Sequence, residues 1–241
     1  MVAIVVHLTW PASAGAQTAV SVSLDINVGL MQPVSTAFTQ SVKLPFDQAV
    51  EADYSSPRGP SLDVAGGILL GERFRVGIGL SHRSNVKKAT VRWVVPAGQG
   101  FAISPKDSEP LHHSEMATHI DVGYRFPRAD RAGVTVFGGP SHFTVKQDLV
   151  SYFTLAQTGP LSSAISTVVA DSRRGSAWGF NVGADASYRL VGSLGIGGLV
   201  RYSRAAVTLP NPLQEFIAVG PTDEAVDVGG LFLGVGLGVR F

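Results

Sequence analysis

The sequence predicts an all-β protein, an eight-stranded antiparallel transmembrane β-barrel, and three observations point there. Runs of alternating apolar and polar residues fill the chain. In the last of them Leu231, Leu233, Val235, Leu237, Val239 and Phe241 share one parity, while Gly234, Gly236, Gly238 and Arg240 share the other. Successive side chains of a strand face opposite ways, so this is a ribbon with one apolar face and one small or polar face. Second, only 15% of residues are charged, against about 25% in ordinary soluble domains, and glycine is abundant at 28 residues. Third, no run of about 18 uninterrupted apolar residues exists. A closed barrel is then the remaining way to satisfy every backbone polar group inside a bilayer.

Strand boundaries follow from the breaks between runs. Glu72-Arg73, Pro127 to Ala132 and Val191 to Ser193 are short, whereas 32–59, 96–111, 147–174 and 210–225 are long. Strands are therefore expected near 19–31, 60–71, 74–95, 112–126, 132–146, 175–190, 194–209 and 226–241. Barrels of the outer membrane have short periplasmic turns and longer external loops, so the alternation places both termini in the periplasm. Phe38 to Leu44 and Gln48 to Tyr54 also alternate. They are expected as an external hairpin extension because Pro45 breaks the run, with a ten-stranded barrel as the alternative. Apolar parity changes within 74–95, which predicts a bulge or a switch to a solvated projection near Ser84 to Lys88. A second slip is predicted at Gly138-Gly139-Pro140.

Residues 1–16 are expected to be a signal peptide and 17–241 a single barrel domain. The apolar run Val2 to Trp10 is followed by Pro11 and the small residues Ala12 to Ala16, with cleavage placed before Gln17. No Lys or Arg precedes the run, which is consistent with a start upstream of Met1. The alternative is a short buried strand.

The parity assigns faces. Val20, Val22, Leu24, Ile26, Val28 and Leu30 point outward on the first strand, and Trp178, Phe180, Val182, Ala184, Ala186 and Tyr188 on the sixth. Phe74, Tyr124, Phe126, Tyr188 and Phe241 lie near the short turns as an aromatic girdle at headgroup level, with Trp178, Phe180 and Tyr202 as candidates for the opposite one. On the inward parity, Arg75, Arg125, Arg189 and Arg240 are expected at the periplasmic mouth. Asp25, Asp63, Asp121 and Asp185 lie higher, with Arg83, His119 and Arg201, as a lumen charge network. Unpaired charges inside a barrel are costly, so these residues are expected to pair. An eight-stranded barrel is just wide enough for side chains to fill it, which favours a plug over a charge-selective channel.

Other chemistry is weakly indicated. Net charge is +1 with scattered basic residues, so no nucleic-acid partner is expected. Absence of cysteine removes disulfides, thiolate metal sites and Cys nucleophiles. Gly195-Ile-Gly197-Gly198 and Gly234-Val-Gly236-Leu-Gly238 open no helix and are close-packing glycines rather than a nucleotide loop. His112, His113 and Glu115 form a loop-edge cluster, since adjacent histidines of a strand point to opposite faces. His112-x-Ser114 has the spacing of the His-x-Ser pair of lipid A deacylases, but no orienting acid can be placed beside it. No cofactor, metal or catalytic residue is expected.

Gln17 to Phe241 resembles the small OmpA- and OmpX-like outer-membrane β-barrel domain family. The resemblance rests on the final strand Gly229 to Phe241, the run Phe180-Asn181-Val182-Gly183-Ala184-Asp185 and the signal peptide. It implies an outer-membrane location and a role for Phe241 as part of the signal read by the outer-membrane assembly machinery. The implied partners are that machinery, the lipid bilayer and lipopolysaccharide, with an extracellular ligand at the loops left open. Fold does not fix activity. A structural or surface-interaction scaffold is the first expectation, a narrow solute channel the second, and a lipid-modifying enzyme the third.

Overall fold

The computed structural model describes residues 20–71, 73–96, 102–129, 131–160, 162–213 and 223–241. The signal peptide expected at 1–16 lies outside them, as does Glu72 in the first short turn. Eight long strands are β1 (Val20–Pro33), β4 (Gly59–Leu70), β5 (Phe74–Lys87), β9 (Leu111–Ala129), β10 (Ala132–Gly159), β11 (Ser162–Val191), β12 (Leu194–Leu209) and β13 (Glu224–Arg240). Shorter strands are β2 (Ala37–Lys43), β3 (Ala49–Ser55), β6 (Ala89–Val94), β7 (Ala102–Ser104) and β8 (Lys106–Asp107).

The long strands pair in the order β10-β9-β5-β4-β1-β13-β12-β11, and β10 also pairs with β11, so each has two antiparallel neighbours in a ring. Register runs from Ser21 through Leu69, Arg75, Gly123, Phe137, Gly183, Arg201 and Phe232 to Met31. One circuit therefore climbs ten residues along β1, from 21 to 31. A stagger of this kind is what tilts barrel strands by about 35–45° from the axis. At one end the connections are tight. β11 and β12 are joined through Gly192, whose φ of 56° suits the first position of a hairpin turn where a side chain would be strained.

Around that end the outward face is apolar and open: Leu24, Ile26, Val28, Ile78, Leu80, Val122, Val182, Leu233 and Val235 are all exposed. At the other end the polarity of the interior reverses. Phe143, Val145, Leu149, Val207 and Leu209 point inward and are fully buried, in one cluster with Val42, Val50, Ala52, Ala89 and Val91 of the second sheet. That sheet, ordered β2-β3-β6-β8, caps the ring. Its attachment is specific: Tyr54 donates to Gln40 Oε1 at 2.6 Å, Gln40 Nε2 donates to Val150 O at 2.9 Å and to Asn211 Oδ1 at 2.6 Å, and Val150 N donates to Tyr54 Oη at 2.7 Å.

Three expectations change. The segment 147–174 is not a loop, because β10 and β11 stay paired from Ala132↔Tyr188 to Gly159↔Ser162, with register shifts beyond Val150. Its polar outward residues, among them Asp148, Ser172 and Arg174, are those of a strand that has left the lipid for water. The strand expected over 74–95 leaves the ring at Lys87, and Ala89–Val94 pairs with β3 instead, at the place where parity changes. Gly138-Gly139-Pro140 carries no slip: β10 runs in register with β11 through all three residues. The apolar parity flips there because lipid outside gives way to an apolar core inside. Phe38 to Leu44 and Gln48 to Tyr54 form the β2–β3 hairpin, outside the ring.

Candidate functional site: the charged lumen

The lumen is built in layers, because the ring brings inward residues of distant strands to one height. In the lower layer Arg75 of β5 crosses the interior. Its Nη2 lies 3.1 Å from Asp25 Oδ2 on β1 and its Nη1 lies 3.1 Å from Asp185 Oδ2 on β11. In the upper layer Arg201 of β12 reaches across the lumen to two more carboxylates on the strands flanking β5, Asp63 on β4 through Nη1 and Asp121 on β9 through Nη2, the latter at 3.1 Å. Side-chain exposure separates the two: 13–26% in the Arg75 group and 1–6% in the Arg201 group. The upper group is dry.

Apolar side chains fill the space between. Phe137, Leu199, Met31 and Phe232 form a buried cluster, and the Arg201 guanidinium lies 5.2 Å from the centre of the Phe137 ring. Glycines make room for this packing. A Cβ on Gly183 would fall 2.4 Å from Val200 O and 2.7 Å from Phe137 Cζ. Cavities of about 30 Å³ beside Asp25 and of about 30 Å³ between Asp63 and Asp185 have room for about one water each.

His119 is fully buried above this layer, and among the described residues it pairs with no carboxylate. Its ring nitrogens contact Ser81 Oγ at 3.0 Å and Ser141 Oγ at 2.8 Å, and Ser141 also accepts from Asn181 Nδ2 at 3.0 Å. Arg83 lies higher again, opposite Glu115 in the register, and donates to Ser56 Oγ at 2.7 Å, away from the four aspartates.

The arginines expected at the mouth divide. Arg75 turns up into the lumen. Arg240 donates to Ser187 Oγ at 2.7 Å. Arg125 and Arg240 line one small cavity near Arg75, and Arg189 lies beside Arg240 around another. No carboxylate comes within 4 Å of these three among the described residues. On the outer face Phe74 and Tyr124 meet edge to face at 5.6 Å, and Tyr124 and Phe126 at 4.7 Å. Tyr188 is exposed on the neighbouring wall. Phe241 is 76% exposed and extends the ladder by two backbone bonds to Val22, at 3.0 and 2.9 Å.

Some of this was open to sequence reasoning and missed. Ser81, Ser141, Phe137 and Phe232 all sit on the inward parity, and a bulky aromatic flanked across the register by glycine, as Phe137 is by Gly123 and Gly183, signals lumen filling. His112 faces out and His113 faces in, so His112 and Ser114 share the outer face, where Asp148 Oδ2 accepts from the His112 backbone N at 2.8 Å. Among the described residues no group of three His, Cys, Asp or Glu could hold a metal.

No family model matches the chain, and no curated protein does. Among solved structures, the outer membrane protein OprG from Pseudomonas aeruginosa matches at 12% identity and a TM-score of 0.58, over 93% of this chain and 97% of that one. Neisserial surface protein A matches at 13% identity and a TM-score of 0.46, over 92% of this chain and 97% of that one. The outer membrane protease OmpT from Escherichia coli matches at 8% identity and a TM-score of 0.46, also over 92% and 97%. The assignment rests on the first of these. Together with the lipid-facing wall and the polar lumen, it gives this chain the fold of a small outer-membrane β-barrel protein.

Proposed function

We propose that this protein is a non-enzymatic scaffold of the outer membrane whose lumen is closed and whose capped end is the working surface. One observation carries the reading. Arg201 reaches across the lumen to two carboxylates of the facing wall, beneath the buried His119 and an apolar core, so an ion crossing the barrel would have to break a dry charge group and then enter hydrocarbon.

Orientation in this reading follows turn length. The tight connections and the Val22–Phe241 end face the periplasm, while the cap and the long β10–β11 hairpin project outside. The apolar wall meets the bilayer, and its outer rim meets lipopolysaccharide. In this reading the exposed Phe241, beside Val22 at the periplasmic end, is offered to the assembly machinery. Loops positioned by a rigid barrel are a common binding surface, and the cap supplies such a surface here. Labelling intact cells at an engineered cysteine on the β2–β3 turn tests the orientation. Reaction with an impermeant maleimide supports it, and protection until the membrane is breached overturns it.

A further inference from the structure

A second polar site lies between the barrel rim and the cap, separate from the lumen groups. Its wall is a patch of two neighbouring strands: Arg83 faces Glu115 across one rung of the β5–β9 ladder and Asn85 faces His113 two rungs on, on the same face. The cavity they line with Gln147 and Lys87 has a volume of about 130 Å³. At about 30 Å³ for each water in the liquid, that is room for about four waters or one small ligand.

Its charges are arranged differently from those below. Arg75 and Arg201 each hold two carboxylates. Arg83 is 3% exposed, yet among the described residues no carboxylate lies within 4 Å of it, and its Nε and Nη1 have no hydrogen-bond partner. Glu115 stands opposite and could have neutralised it, but its Oε1 accepts from Gly229 N at 2.8 Å and its Oε2 lies 3.7 Å from His113 Nε2. Asn85 Nδ2 and His113 Nε2 are also without hydrogen-bond partners. His113 Nδ1 is engaged by Gln147 Oε1 at 2.5 Å. Lys87 and Lys88 add positive charge at the edge, while Asp227, also on the lining, is paired with Arg204 at 3.1 Å. Buried guanidinium donors with nothing to bind are expensive, and a bound anion removes that cost with charge-assisted hydrogen bonds.

We propose that this cavity is a binding site for a small oxyanion, a phosphate or carboxylate group, held by Arg83 and Asn85 with His113 beside it. Lysine charge at the edge attracts the anion, Arg83 anchors it, and Glu115 sets one side of the pocket. The site is independent of whether the lumen conducts.

The test uses the full chain refolded in a phosphate-free glucoside detergent, with inorganic phosphate as probe and chloride at equal ionic strength as reference. The expected result is a saturable rise in Tm with phosphate beyond that with chloride. It should persist in Arg92→Gln, which removes an exposed cap arginine, and vanish in Arg83→Met. Without phosphate, Arg83→Met should melt no lower than wild type, because it removes an unpaired buried charge. If Arg83→Met does not fold, Asn85→Leu should bind phosphate about tenfold more weakly. Acetate in place of phosphate separates a carboxylate site from a phosphate site. No saturable shift with either anion overturns the proposal, as does a phosphate shift that survives Arg83→Met or Asn85→Leu unchanged.

Discussion

Arg201 Nη2 and Asp121 Oδ2 lie 3.1 Å apart, although β12 and β9 are separated in the ring by β11 and β10. The contact spans the lumen, and both side chains are almost wholly buried. Arg201→Met should therefore lower stability by about 3–5 kcal/mol, because it strands Asp63 and Asp121 as unpaired buried carboxylates. Adding Asp63→Asn and Asp121→Asn to Arg201→Met should recover most of that loss, since the whole charged group can be replaced at small cost when no charge is left behind. Urea unfolding of the refolded proteins measures both changes.

The two layers should respond unequally. Asp121→Ala should cost about 3–5 kcal/mol, whereas Asp185→Ala, in the wetter Arg75 group, should cost about 1–3 kcal/mol. Equal costs would mean that exposure does not set the strength of these groups.

Most of the architecture was legible because a lipid-facing strand has a strict two-residue period. Leu231 to Phe241 and Val20 to Leu30 announce their faces without help. Legibility failed where the surroundings changed along a single strand. Val145 and Leu149 look out of phase with Val134 and Val136 only if the lumen is polar throughout, and 147–174 looked like a loop because its outward residues face water. The aspartates and Arg201 were visible as inward charges, but which arginine meets which carboxylate depends on the ten-residue stagger. That is why Arg75 was placed at the mouth and Arg83 in the network.

Tyr54 anchors the cap as a neutral phenol. Burial pushes its pKa well above the ordinary 10.0, and the hydrogen bond from Val150 N pulls less strongly the other way. The folded-state pKa exceeds the unfolded one, so its contribution is fully present below about pH 10 and is lost as pH rises beyond it. Limited proteolysis of the cap should accelerate above that pH in wild type. In Tyr54→Phe it should be faster already at neutral pH, and its dependence on alkaline pH should be weaker.

Gly183 has room for no side chain. Gly183→Ala should cost about 1–3 kcal/mol, because Val200 O belongs to the backbone and cannot move aside as a flexible side chain could. Adding Phe137→Leu should recover only part of this, since it relieves the ring contact and leaves the carbonyl.

Phe241 contributes one rung of ladder and little packing, given its exposed ring. Phe241→Ser should leave the urea midpoint of the refolded barrel nearly unchanged while reducing the amount assembled in cells. Heat-modifiable mobility on gels, compared between cells and refolding reactions, separates the two effects.

The central claim is a closed lumen, and single-channel recording of the refolded wild-type protein in a planar bilayer tests it most directly. The account predicts no steady conductance in wild type and leak events in Arg201→Met, whose stranded carboxylates must recruit water. Steady, ion-selective conductance by wild type, with variants at Asp63 or Asp121 altering selectivity and leaving stability unchanged, would contradict it.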